Sequence, residues 1–270
     1  MVDYIRENDT PYGPGSKIDR SLHGISGNSG SLNPLRTRIG YFPGCSLQAE
    51  LPELIDHTFH VLDKLGTRPQ LITQPCCGLP VINAGSIDQA GLMAKDLVTE
   101  LKERKITTII TSCSGCAVTL STHFQELYGL KLNIFHITEY LARNVKKIRT
   151  VFGDVGKGAR VLYHDPCDLA RKLEIIEEPR NILEAIGFRI TEFERHGTET
   201  MCCGGGGGFA REFPDEAGSS ARRRIREAET YGISTIVSAC LSCRRHLRSG
   251  ARHEMSDVEV LDLIELFPGL

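Results

Sequence analysis

TTIITSCSGC at residues 107–116 and STIVSACLSC at residues 234–243 follow one pattern. In both, a short β-branched run gives way to small residues and then to a Cys-x2-Cys pair. β-branched residues suit the pleated, packed surface of a strand. A brief apolar run closed off in this way reads as a buried strand of a parallel sheet. The cysteine pair then opens the next helix. The same device in both halves directs attention to an internal repeat.

The repeat extends through every cysteine. Cys45 is followed 31 positions on by the adjacent pair Cys76–Cys77 and Gly78, and Cys113 lies 36 positions beyond Cys77, with Cys116 closing the first Cys-x2-Cys. In the second half Cys167 is followed 35 positions on by Cys202–Cys203 and Gly204, and Cys240 lies 37 positions beyond Cys203, with Cys243 closing the second. All ten cysteines fall into this pattern.

The secondary structure expected from patterning repeats with it. Strands are expected at 38–42 and 160–164, each ending at a proline-containing turn before Cys45 or Cys167. Apolar residues then recur at helical spacing (Leu54, Phe59, Leu62, Leu65; Ile182, Leu183, Ile186), and Gly66 or Gly187 stops each helix. Second strands at 70–73 and 189–193 lead to the Cys-Cys-Gly turns, and amphipathic helices at 87–104 and 216–231 lead to the strands at 107–111 and 234–237. Alternating strands and helices imply parallel sheets covered on both faces. The expected fold class is therefore α/β: two similar Rossmann-like parallel-sheet domains from an internal duplication, 37–150 and 157–270, joined near 153–158. Residues 1–36 are polar and Gly/Ser/Pro-rich, and read as a flexible or partner-docking arm. The cysteines should gather at the carboxyl ends of the strands, where such sheets hold ligands.

Composition narrows the chemistry. Across 270 residues the net charge is -2, the hydrophobic share is 40% and Trp is absent, which gives no electrostatic or stacking case for nucleic acid. No apolar run is long enough to span a bilayer and no secretory leader is evident, so a cytoplasmic location is expected. In that compartment thiols stay reduced, and ten cysteines read as metal ligands before disulfides. The candidate ligands are Cys45, Cys76, Cys77, Cys113 and Cys116 in one site, and Cys167, Cys202, Cys203, Cys240 and Cys243 in the other. Five per site exceeds the four of structural zinc or of a cubane cluster. Adjacent cysteines suit a site in which one sulfur bridges two irons or one iron stands apart. Two zinc sites, a vicinal disulfide and inert buried thiols are the competing readings. Gly44, Gly78, Gly204 and Gly205 are expected to bring backbone N–H groups close to a bound group. The run Gly204–Gly208 lacks the last glycine of a dinucleotide fingerprint, since Phe209 stands there, and it lacks a phosphate-loop ending.

YFPGCS, QPCCGLP and SCSGC in the first half, with YHDPCD, MCCGGGGG and ACLSC in the second, resemble the cysteine-rich CCG domain family. The layout is similar to that of the catalytic B subunit of heterodisulfide reductase. The resemblance implies two 4Fe–4S clusters of the non-cubane kind, reduction or formation of a disulfide or related sulfur substrate in two one-electron steps, and membership of a complex. It also implies partners: a ferredoxin-like iron–sulfur subunit, like the reductase's C subunit, and a flavin subunit, like its A subunit. Similarity to the iron–sulfur subunits of 2-hydroxy acid and glycerol-3-phosphate oxidation implies a pure electron-transfer role instead. Asp168 stands where many relatives have His, which puts the substrate or its proton donor in question. His164, His123 and His196 are the candidate proton donors. Arg171, Lys172 and Arg211 are candidates for holding an anionic substrate.

Overall fold

The computed structural model describes Ile5 and residues 38–73, 75–125 and 132–269. The chain divides into two compact units between Ile137 and Thr138.

In the first unit, β1 (Ile39–Phe42) leads into α1 (Cys45–Glu50) and α2 (Glu53–Lys64). Then come β2 (Gln70–Leu71), α3 (Leu79–Asn83), α4 (Ile87–Glu103), β3 (Thr108–Thr111), α5 (Ser114–Val118), a π-helical turn at Thr119–His123, and β4 (Asn133–His136). The sheet is parallel throughout, in the order β2-β1-β3-β4. Tyr41 lies opposite Leu71 on one side and Ile110 on the other. The core combines Phe42, Ile72, Leu97, Ile109 and Phe124 with three of the cysteines, Cys76, Cys77 and Cys116. Of residues 1–36, only Ile5 is among those described, and its side chain is buried in this core.

The second unit carries α6 (Ile137–Ala142, starting at the boundary), α7 (Val145–Phe152), β5 (Arg160–Tyr163), a π-helical turn at Asp168–Lys172, α8 (Glu177–Ala185) and β6 (Arg189–Glu192). It continues with α9 (Phe209–Glu212), α10 (Pro214–Thr230), β7 (Thr235–Ser238), α11 (Leu241–Glu254) and β8 (Glu259–Asp262). Its sheet is again parallel, ordered β6-β5-β7-β8. Leu162, Phe193, Ile225, Ile236 and Leu247 pack with Cys203, Cys240 and Cys243. The two topologies are identical, as the expected duplication requires.

In each sheet the first strand pairs with the second on one side and the third on the other. Chain connections therefore leave the first strand's two flanks in opposite directions, which opens a crevice at the strand C-termini. The loops after the first and third strands, which carry cysteines, border that crevice.

The expected strands appear within one or two residues of their expected bounds. The division between units falls before the stretch 153–158, and that stretch is tied into the second unit. Gly156 N donates to the Ile186 carbonyl and Gly158 N to the Gly187 carbonyl, both at 2.8 Å. Among the described residues, no helix is long and apolar enough to cross a membrane.

Candidate metal centres

The cysteines are placed by helix starts. Cys45 is the first residue of α1, Cys113 caps α5, and Cys240 caps α11. Cys167 occupies the corresponding position before the turn Asp168–Lys172. Free N–H groups and the positive end of a helix lower the energy of a thiolate at such positions. Pro43-Gly44 before Cys45 and Pro166 before Cys167 keep those two turns short.

The five sulfurs of each unit form a continuous run of contacts. In the first unit the order is Cys45, Cys76, Cys77, Cys116, Cys113. In the second it is Cys167, Cys202, Cys203, Cys243, Cys240. Cys116 Sγ lies 3.3 Å from Cys77 Sγ, and Cys203 Sγ lies 3.4 Å from Cys243 Sγ. Cys167 and Cys202 are 3.8 Å apart. All ten cysteines are free thiols, so a vicinal disulfide is absent from both adjacent pairs.

Crowding divides the charge unequally, and in the same way in both units. Hydrogen bonds from Cys45 and Cys77 pull the Cys76 thiol well below its ordinary range. Hydrogen bonds from Cys167 and Cys203 take Cys202 down to about 2. The neighbours move the other way: contact with Cys76 and burial raise Cys45, and contact with Cys202 lifts Cys203 to about 12. Cys116 rises through its contacts with Cys113 and Cys77, and Cys243 through Cys203 and Cys240. Crowding and burial thus disfavour further thiolates unless positive charge is added. A thiophilic cation supplies that charge, so the donor set fits a metal centre.

The backbone leaves room for a bound group at the same places. Gly44 has φ +82°, and a Cβ there meets Cys113 Cβ at 2.8 Å and Cys116 Sγ at 3.3 Å. Gly78 N hydrogen-bonds Cys76, Gly204 N donates to Cys202 Sγ at 3.4 Å, and Gly205 N donates to Cys203 Sγ at 3.3 Å. Gly205 is hemmed in, a Cβ meeting the Ser242 carbonyl at 2.9 Å, whereas Gly206, Gly207 and Gly208 face open space. The glycine run therefore splits into two donors at the sulfurs and an open rim.

Of the three histidine candidates, only His164 joins a site. One of its ring nitrogens and the sulfurs of Cys203 and Cys243 lie within 4.8 Å of one another, the only such His/Cys/carboxylate group among the described residues. His196 is exposed, its Nδ1 2.9 Å from the Phe193 carbonyl, and His123 ends the π-helical turn after α5. Arg171 donates to the Thr200 carbonyl at 3.0 Å, and Lys172 pairs with Asp168 at 2.7 Å. Arg211 lies exposed on α9.

Two arginines not anticipated from the sequence brace the second site. Arg180 donates to Asp165 from Nη1 and Nη2, at 2.8 and 2.9 Å, and to Glu192 from Nε and Nη2, also at 2.8 and 2.9 Å. Asp165 also accepts from Gly197 N at 2.8 Å, and its carbonyl accepts from Thr200 Oγ1 at 3.0 Å. Arg224 is buried, stacks 4.1 Å from the Phe193 ring centre and donates to His164 Nδ1 at 3.4 Å. The bidentate geometry fixes the Asp165-Pro166-Cys167 turn.

Fold and sites together define a duplicated α/β protein with a five-thiol centre at the strand ends of each half. The chain belongs to the CCG cysteine-rich domain family, whose model matches residues 39–121 and 161–248. The B subunit of fumarate reductase (CoM/CoB) from Methanothermobacter marburgensis is 33% identical over 85% of this chain and 46% of its own length. The D subunit of dihydromethanophenazine:CoB–CoM heterodisulfide reductase from Methanosarcina acetivorans is also 33% identical, over 86% of this chain and 58% of its own. The chain thus spans about half the length of these relatives. Lactate utilization protein A 1 of Bacillus anthracis is 23% identical over 85% of this chain and 97% of its own length.

Proposed function

We propose that this chain is the iron–sulfur catalytic subunit of a heterodisulfide reductase-like complex, acting on a disulfide or related sulfur substrate in either direction. The carrying observation is the run of five contacting thiols in each unit, because four already complete a zinc site or a cubane cluster. On this reading Cys45, Cys76, Cys77, Cys113 and Cys116 hold one 4Fe–4S cluster of non-cubane kind. Cys167, Cys202, Cys203, Cys240 and Cys243 hold the second. When bound, such clusters supply single electrons and a Lewis-acidic iron for a substrate thiolate.

The chain's own residues supply the setting. Amide N–H groups of Gly78, Gly204 and Gly205 spread the thiolate charge, and Gly44 keeps the space beside Cys113 and Cys116 clear. The open rim at Gly206–Gly208 is the entry route for a small substrate. By its resemblance to the reductase, the chain takes its electrons from a ferredoxin-like iron–sulfur subunit of the C kind, with a flavin subunit of the A kind behind it. The expected location is the cytoplasm.

A second reading has an observation of its own. The lactate utilization relative matches over nearly its whole length, which favours an electron-transfer subunit of a 2-hydroxy acid-oxidising flavoenzyme. Anaerobic EPR of the protein titrated with thiols and disulfides separates the two. A signal that changes with a thiol or disulfide is expected. Clusters that exchange electrons yet respond to no sulfur compound contradict the catalytic reading and leave the electron-transfer one.

A further inference from the structure

The two halves share their cysteine pattern and their sheet topology, and they differ at the end of the first strand. Tyr41-Phe42 in the first unit corresponds to Tyr163-His164 in the second. Phe42 is buried in the same core cluster as Cys76, Cys77 and Cys116. His164 is fully buried, with a ring nitrogen within 4.8 Å of the Cys203 and Cys243 sulfurs. Its Nδ1 accepts the hydrogen bond from Arg224 Nε at 3.4 Å, while its Nε2 is buried without a hydrogen-bond partner. An arginine cannot accept, so Nδ1 is the unprotonated nitrogen and Nε2 carries the proton. A protonated nitrogen is a donor and not a metal ligand. A donor left unsatisfied in the interior is costly, so its partner belongs in the adjoining site.

We propose that His164 Nε2–H donates a hydrogen bond to sulfur in the second centre, and that this donor, replaced by Phe42 in the first, gives the second centre the higher reduction potential. The inference rests on reading both sites as iron–sulfur centres. A hydrogen bond to cluster sulfur stabilises the more negative, reduced form and so raises the potential. The second centre then fills first and the first centre is the stronger reductant. The buried Arg224 acts through His164 by fixing its tautomer, and is a positioning residue.

EPR-monitored redox titration of the anaerobic full-length protein, with iron analysis, tests this. The signal lost in Cys202→Ser marks the second centre. His164→Phe is expected to lower that centre's midpoint by about 59 mV or more, a tenfold change in a one-electron equilibrium, with iron content and the first centre's midpoint unchanged. His164→Gln, whose amide reaches the Nε2 position, keeps most of the potential. His164→Asn, whose amide reaches only the Nδ1 position, loses it; this pair decides the matter if the Phe variant does not fold. An unshifted midpoint with intact iron overturns the donor role. Loss of about half the iron in both amide variants overturns it in favour of a ligand. An unsubstituted protein without iron overturns the cluster reading itself, and this inference with it.

Discussion

Gly44 is where a single missing methyl group matters most. Its left-handed backbone strains any L side chain, and a Cβ there runs into Cys113 Cβ at 2.8 Å. Gly44→Ala is expected to lose the first centre and keep the second, so that iron per chain falls by about half while the fold survives. Full iron retention counts against the placement of that site. His136 illustrates a different residue-scale effect. Burial holds its imidazole at about 3, against the ordinary 6.5. Between those values the unfolded chain takes up a proton that the folded chain refuses, so stability falls as the pH drops from 6.5 toward 3 and stops falling below. The expected loss between pH 7 and 5 is about 2 kcal/mol. Urea unfolding of His136→Gln, in the same metal state as the parent, is expected to lack that part of the slope; parallel pH profiles refute it. At this scale the cysteines and their glycines were legible because their spacing repeats. The bracing arginines were not. Arg180 lies 15 positions from Asp165, and Arg224 lies 60 from His164, separations at which a charged side chain on a helix looks like any solvated one.

Elements show how the second centre is held. Arg180 on α8 clamps the turn after β5 to the end of β6, with Asp165 almost wholly buried. Arg180→Leu leaves that carboxylate without its partner, for which about 3–5 kcal/mol of lost stability is expected. A cycle with Asp165→Asn checks the source: the double variant should be less destabilised than the sum of the singles. Strict additivity contradicts a direct pair. Strand periods and glycine stops were readable because apolar residues and turn formers mark them within a few positions. The fourth strand of each sheet was not. β4 reads NIFH and β8 reads EVLD, four residues each at a sheet edge, too short and too mixed to show a period. Helix α7 was not placed in the second unit because its docking rests on Ile148, the one buried residue of a charged helix, and on the contact of Phe152 with the distant Phe267.

For the whole molecule the duplication is the governing fact. Two sheets of one topology repeat one five-thiol centre, and hydrogen bonds from neighbouring thiols lower the same member of the vicinal pair, Cys76 or Cys202, in each. The halves differ at Phe42 and His164, and that difference makes them unequal in redox terms if both hold clusters. The number of sites was legible from cysteine spacing alone, whereas their inequality required the buried contact between Arg224 and His164. The most direct test is the iron and acid-labile sulfide content of the anaerobically purified protein, beside Cys77→Ser and Cys202→Ser. Two clusters predict about eight irons and matching sulfide per chain, each substitution removing about half. About two zincs with no iron, or iron that neither substitution diminishes, contradicts the account.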